Sequence, residues 1–75
     1  MTHLLTDHAW QWLNAVFAAK AAQRGGIVRR SIRDVDREVG RDAFLAEVRR
    51  RGFAAVENGG QIVVFCNAEG LRRVV

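Results

Sequence analysis

The spacing of apolar residues between Ser31 and Arg51 does not suit one unbroken helix. At about 100° per residue, Ile32, Val35 and Val39 fall on one side of such a helix, and Phe44 and Val48 fall nearly opposite. Both stripes reach a single core only if the chain turns between them. Gly40 stands at that point, and glycine takes up turn conformations that other residues resist. Two helices, 31–39 and 41–51, joined by a tight turn are therefore expected. Ser31 caps the first, and Asp34 completes a capping-box-like pattern. Gly52 ends the second.

The flanking segments supply the rest of the domain. Thr6 is a good N-cap, Asp7 suits the positive helix end, and Leu5 and Trp10 occupy the positions of a hydrophobic staple. Trp10, Leu13 and Phe17 recur at helical spacing, with Ala9 and Val16 widening the stripe. Gly25-Gly26 sets the expected end at Arg24, giving a helix 7–24. Trp12 lies well round from the centre of the stripe and is expected at the surface. A strand is expected over 27–30. Residues 53–66 read as a hairpin: Phe53 to Val56 and Ile62 to Cys66 are apolar and β-prone. Asn58-Gly59 favours a type I′ turn, and Gly60 offers an alternative register. In the tail, 67–75, Leu71, Val74 and Val75 either dock on the core or add a strand. The fold class is α+β, in the order α-β-α-α-β-β, with residues 1–75 forming one domain.

The formal charge is +4, from 12 basic and 8 acidic residues, and every basic residue but Lys20 is arginine. Arginine forks match phosphate and carboxylate geometry, and a basic balance favours nucleic acid as a partner. The interleaved acids allow intrahelical pairs such as Arg33 with Asp36 or Asp34 with Arg37. No apolar run approaches the length of a membrane span. Residues 1–5 are too short and uncharged for a signal peptide, so no membrane association and a cytoplasmic location are expected. Cys66 is the lone cysteine. His3, His8 and Cys66 match no zinc spacing, so no metal or other cofactor is expected. Gly25-Gly26 and Gly59-Gly60 lack the setting of a nucleotide motif, and no nucleophile–base pair stands out; no enzymatic activity is expected.

The segments "IRDVDREVG" and "LAEVRRRGFAAVENGGQIVVF" resemble the helix-turn-helix and wing of biotin-repressor-type bacterial winged helices, over about residues 27–66. The sequence departs from that family in the short span between Gly40 and Gly52 and in a wing tip, Glu57 to Gln61, without Lys or Arg. The resemblance implies a winged helix-turn-helix fold and a small DNA-binding transcription regulator, with helix 41–51 in the major groove of double-stranded DNA. Phe44, Leu45 and Val48 then face the core, leaving Ala43, Ala46 and Arg50 outward. Arg49 or Arg50 reads guanine edges, and Arg29, Arg30, Arg33 and Arg37 contact phosphates.

An alternative is a protein-interaction module: a phage or mobile-element inhibitor of a host complex, anti-CRISPR-like, with a host protein as partner. Trp12 is the expected anchor of such an interface. The alanines of the first helix, Ala15 and Ala19 among them, are thin enough for close helix contact and a homodimer through helix 7–24.

Overall fold

A computed structural model describes residues 5–75; residues 1–4, and with them His3, lie outside the described part. The described chain runs α1 (Asp7–Ala18), α2 (Lys20–Gln23), β1 (Ile27–Ser31), α3 (Ile32–Glu38), α4 (Arg41–Arg50), β2 (Ala54–Asn58) and β3 (Gln61–Phe65). The three strands form one antiparallel sheet in the order β1-β3-β2. Four helices and this sheet make an α+β layout compatible with a winged helix.

The chain turns at Gly40 as the two opposed stripes require. The amide of Gly40 donates to Val35 O at 2.8 Å, closing α3, and Phe44 N donates to Gly40 O at 3.0 Å, opening α4. Gly40 has φ 95° and ψ 137°, a region that favours glycine. Val35 and Phe44 both have no exposed surface in consequence. Ile32 and Val39 are half-buried and pack against the same core. The Ser31 hydroxyl accepts from Asp34 N at 3.0 Å. The Asp34 carboxylate takes Arg37 instead of closing the capping box.

At the N-terminus, Thr6 Oγ1 accepts from Ala9 N at 3.0 Å, the expected cap. The expected helix 7–24 is divided. Ala19 adopts ψ 147°, which separates α1 from α2. A continuous helix would carry Ala22 about 180° away from Leu13. The break brings Ala22 round into the core at 7% exposure. Gln23 Nε2 donates to Phe17 O at 2.8 Å and satisfies a carbonyl that the break frees.

The two tryptophans exchange their expected places. Trp12 is half-buried against Phe44, ring centroids 6.2 Å apart, whereas Trp10 is 42% exposed. Trp10 lies nearer the Leu13 stripe than Trp12 does, so the facing residue of α4, not helical position, decides. Phe44 covers Trp12, while Ala43 and Ala46 of α4 are too small to cover Trp10.

The hairpin turn places Gly59 (φ 56°) and Gly60 (φ 79°) at its centre, with Asn58 opposite Gln61. This is the alternative register, in which glycine fills both positive-φ positions. β1 pairs with β3 along its whole length, Ile27 opposite Phe65 through Ser31 opposite Gln61. The Gly60 carbonyl accepts from Ile32 N at 2.9 Å. The hairpin therefore does not project past β1, and its tip is tied to the start of α3.

Val28, Ile62 and Val64 face the helices and join Leu13, Phe17, Val35, Phe44 and Val48 in the core. Cys66 is buried beside them, and burial pushes its thiol pKa up. Cys66 N donates to Gly26 O at 2.8 Å and Asn67 Nδ2 to Gly25 O at 3.0 Å, which ties the end of β3 to the start of β1. Beyond that anchor the tail neither docks nor adds a strand: Leu71, Val74 and Val75 are 49%, 80% and 101% exposed. No helix among the described residues is long and apolar enough to cross a membrane.

Candidate nucleic-acid interface

The outward face of α4 is rotated from its expected position. Ala43 is buried beneath Leu5, Trp10 and Leu13, and Glu47 is only 5% exposed. Leu45 is half-buried and lines a cleft with Ala55 and Ile62. Asp42 and Arg49 are left exposed on the ridge, with the half-buried Ala46 between them, spaced as successive turns of one helix face. The ridge thus begins with a carboxylate and ends with a cation.

Glu47, a carboxylate almost without exposed surface, is the main surprise of this helix. Its carboxylate accepts from Arg50 through Nε and Nη2, both at 2.7 Å, and from Arg51 Nε at 2.7 Å. Arg51 in turn lies over the Phe17 ring, 4.4 Å from its centroid. The hydrogen bonds from Arg50 hold the Glu47 pKa below the usual carboxylate range; burial opposes this, and Arg51 adds to it. The signal was present as a Glu with arginines three and four residues on, the spacing of intrahelical pairs.

Other carboxylates hold further arginines. Arg37 Nη2 donates to Asp34 at 2.9 Å and its Nε to Glu38 at 3.1 Å. Arg41 Nη2 donates to Asp36 at 2.9 Å. Asp36 is thus taken by Arg41 rather than by Arg33, whereas the expected Asp34–Arg37 pair forms. Glu38 also accepts from His8 Nε2, joining α3 to the first turn of α1. Its pKa is lowered, first by His8 and then by Arg37.

Of the arginines expected on DNA, Arg37 and Arg50 therefore have carboxylate partners. Arg29, Arg30, Arg33 and Arg49 have none among the described residues. Arg29, Arg30 and Arg33 gather at the junction of β1 and α3, beside the hairpin turn. Arg30 Nη1 donates to Arg29 O at 2.6 Å. Arg29 alternates with core-facing Val28 and so projects from the sheet face turned away from the helices. Arg49 lines a cleft with Phe53 and Ala55, at the end of the sheet away from that turn. The structure brings together the junction arginines on one side and Arg49 with Arg50 on the other.

The expected interface set is dispersed as well. Trp12 packs against the protein's own core, Ala15 is exposed on α1, and Ala19 sits at the break and packs inward. Ala15 and Ala19 therefore do not share one continuous helix face. Trp10, by contrast, edges a cleft of about 140 Å³ together with Leu5, Leu13, Ala46 and Arg50. No family model, curated protein or solved structure matches this chain at a significant level.

Proposed function

We propose that this domain is a winged-helix regulator that binds double-stranded DNA through the open face of α4. The observation that carries the reading is the distribution of unpaired charge. Asp34, Asp36, Glu38 and Glu47 engage Arg37, Arg41, Arg50 and Arg51. The surplus cations, among them Arg29, Arg30, Arg33 and Arg49, are left without acidic partners on the described surface. Arg49, unpaired on α4, suits phosphate contact at a groove edge, and Arg30 and Arg33 at the β1–α3 junction offer a second, separate set of phosphate contacts. Ala46, at the middle of the ridge, lets the helix approach base edges closely. The short hairpin, without Lys or Arg at its tip, leaves the grip to α4 and the β1–α3 junction.

The test is fluorescence anisotropy of a mixed-sequence duplex across a salt series. Each phosphate neutralised contributes about −0.9 to the slope of log affinity against log salt. A slope equivalent to roughly three or more phosphates is expected. Absence of binding at low salt overturns the reading. A protein-interaction role is the second reading, and the half-exposed Trp10 at its apolar cleft favours it, since interface anchors are rich in tryptophan and arginine. On that reading Trp10→Ala abolishes partner capture and leaves the salt-dependent DNA signal absent.

A further inference from the structure

We propose that the free edge of β2 pairs with the same edge of a second copy of this chain, antiparallel about a two-fold axis at Val56. The sheet order β1-β3-β2 leaves two edges. The hydrogen bonds around β3 fix which groups those edges expose. Cys66 N donates to Gly26 O, and Gly60 O accepts from Ile32 N, so the even-numbered residues here bond toward β1. The odd-numbered ones, Gln61, Val63 and Phe65, then bond toward β2, to Asn58, Val56 and Ala54. The N–H and C=O of Ala55 and Glu57 are left pointing off the edge, with no backbone partner among the described residues. The β1 edge is guarded. Arg29 stands in the equivalent position there, and its outward carbonyl accepts from Arg30 Nη1 at 2.6 Å. β2 has no Lys, Arg, Pro or bulge, the common protections of an edge.

The charges along that edge identify the occupant. Ala55 and Glu57 stand opposite Val64 and Ile62, which face the helices, so their side chains lie on the helix side of the sheet. There a cleft between α4 and β2 is lined by Leu45, Ala55 and Glu57, and it continues past Leu45 and Ala55 to Phe53 and Arg49. Glu57 marks one end and Arg49 the other. Both are exposed, and neither has an ion-pair partner among the described residues. A two-fold axis at Val56 sets Glu57 opposite Ala55 of the second copy, and the open N–H and C=O groups of the two residues bond reciprocally. The same operation brings Glu57 beside Arg49 of the second copy, and symmetry repeats the pair. On the outer face Val56, 40% exposed, meets its own counterpart, a β-branched pair that prolongs the apolar row from Val63. Opposite charges at opposite ends of one strand therefore suit an antiparallel copy of that strand. The ion pairs select partner and register, while the backbone bonds and the covering of Leu45, Ala55 and Val56 supply the affinity. Arg49 so engaged is withdrawn from phosphate, so duplex and second copy compete for it; the inference rests on the β2 edge and not on DNA binding.

The experiment is sedimentation velocity of the full chain over a concentration series reaching the millimolar range. The wild type is expected to pass from monomer to dimer. Val56→Lys sets two cations against each other on the axis and should weaken the dimer by about tenfold or more. Arg49→Glu alone and Glu57→Arg alone set like charges together and should weaken it by a similar factor. Each variant replaces an exposed side chain, so the fold should persist, with circular dichroism as the check. The decisive arm mixes Arg49→Glu with Glu57→Arg. One copy of each restores opposite charges at both pairs, so a heterodimer should form with affinity near that of the wild-type dimer. Mixing does not repair a folding defect in either variant, so recovery reports the contact itself. A wild type that stays monomeric throughout overturns the inference and leaves the β2 edge to a strand of another protein. A dimer that survives Val56→Lys, or no recovery on mixing, also overturns it and places the contact between copies elsewhere on the molecule.

Discussion

Arg51 sits over the aromatic face of Phe17 while its Nε bonds Glu47, so one guanidinium joins the core of α1 to the end of α4. The contact stabilises in two ways: the cation meets the ring quadrupole, and the buried carboxylate gains a second donor. Replacing Arg51 with Ala removes both at once. A loss of about 1–3 kcal/mol is expected, read from urea denaturation. A loss well under that would mean Arg50 alone satisfies Glu47.

Acid should act on α4 through Glu47 and on α3 through Glu38. Glu47 and Glu38 both have pKa values lowered in the folded protein, by Arg50 and by His8 respectively as the largest cause. A depressed carboxylate contributes stability that is fully present above its unfolded pKa, about 4.3 for glutamate. That contribution falls away as pH drops from there through the lower folded value. Thermal melts from pH 6 to pH 2, taken as an approximate range, should show Tm declining below about pH 4. Glu47→Gln should start less stable and show a shallower decline; an identical pH profile would exclude Glu47 as a contributor.

Gly40 offers a test of the turn. A Cβ there meets nothing within 4 Å, so any cost of substitution is conformational rather than steric crowding. With φ at 95° the backbone strain of Gly40→Ala is expected to be about 1–3 kcal/mol. A neutral effect in chemical denaturation would show that the turn relaxes to another geometry.

The tryptophans give a fluorescence test of the α1–α4 packing. Trp12→Ala removes a half-buried ring from Phe44 and should cost about 2–4 kcal/mol. Trp10→Ala should cost less than about 1 kcal/mol. Acrylamide should quench the emission of the Trp12→Phe protein, which retains Trp10, more strongly than that of Trp10→Phe. The reverse order would place the two rings the other way round.

Particular residues show how far reading from sequence reaches. The caps at Thr6 and Ser31, the turn at Gly40 and the end of α4 before Gly52 were all legible, since each depends on neighbours within a few positions. The Asp34–Arg37 pair was legible for the same reason. Glu47 was not, although its partners stand three and four residues along. Spacing indicates that an ion pair is possible, but burial of the carboxylate depends on α1 lying across it. Arg33 and Asp36 also had helical spacing, yet Arg41, beyond the turn, took the aspartate.

What the sequence determined by itself is the order of the elements after the first helix, their approximate ends and the need for a turn inside 31–51. Periodicity, capping and glycine conformation act along the chain, and these suffice for local structure. Only the tertiary structure decided the rest: which tryptophan is covered, where the first helix breaks, which residues make the open ridge of α4, and which arginines stay unpaired. Each of these is a competition between surfaces distant in sequence. Phe44 on one side and Ala43 with Ala46 on the other settle the tryptophans, and the break at Ala19 brings Ala22 into the core.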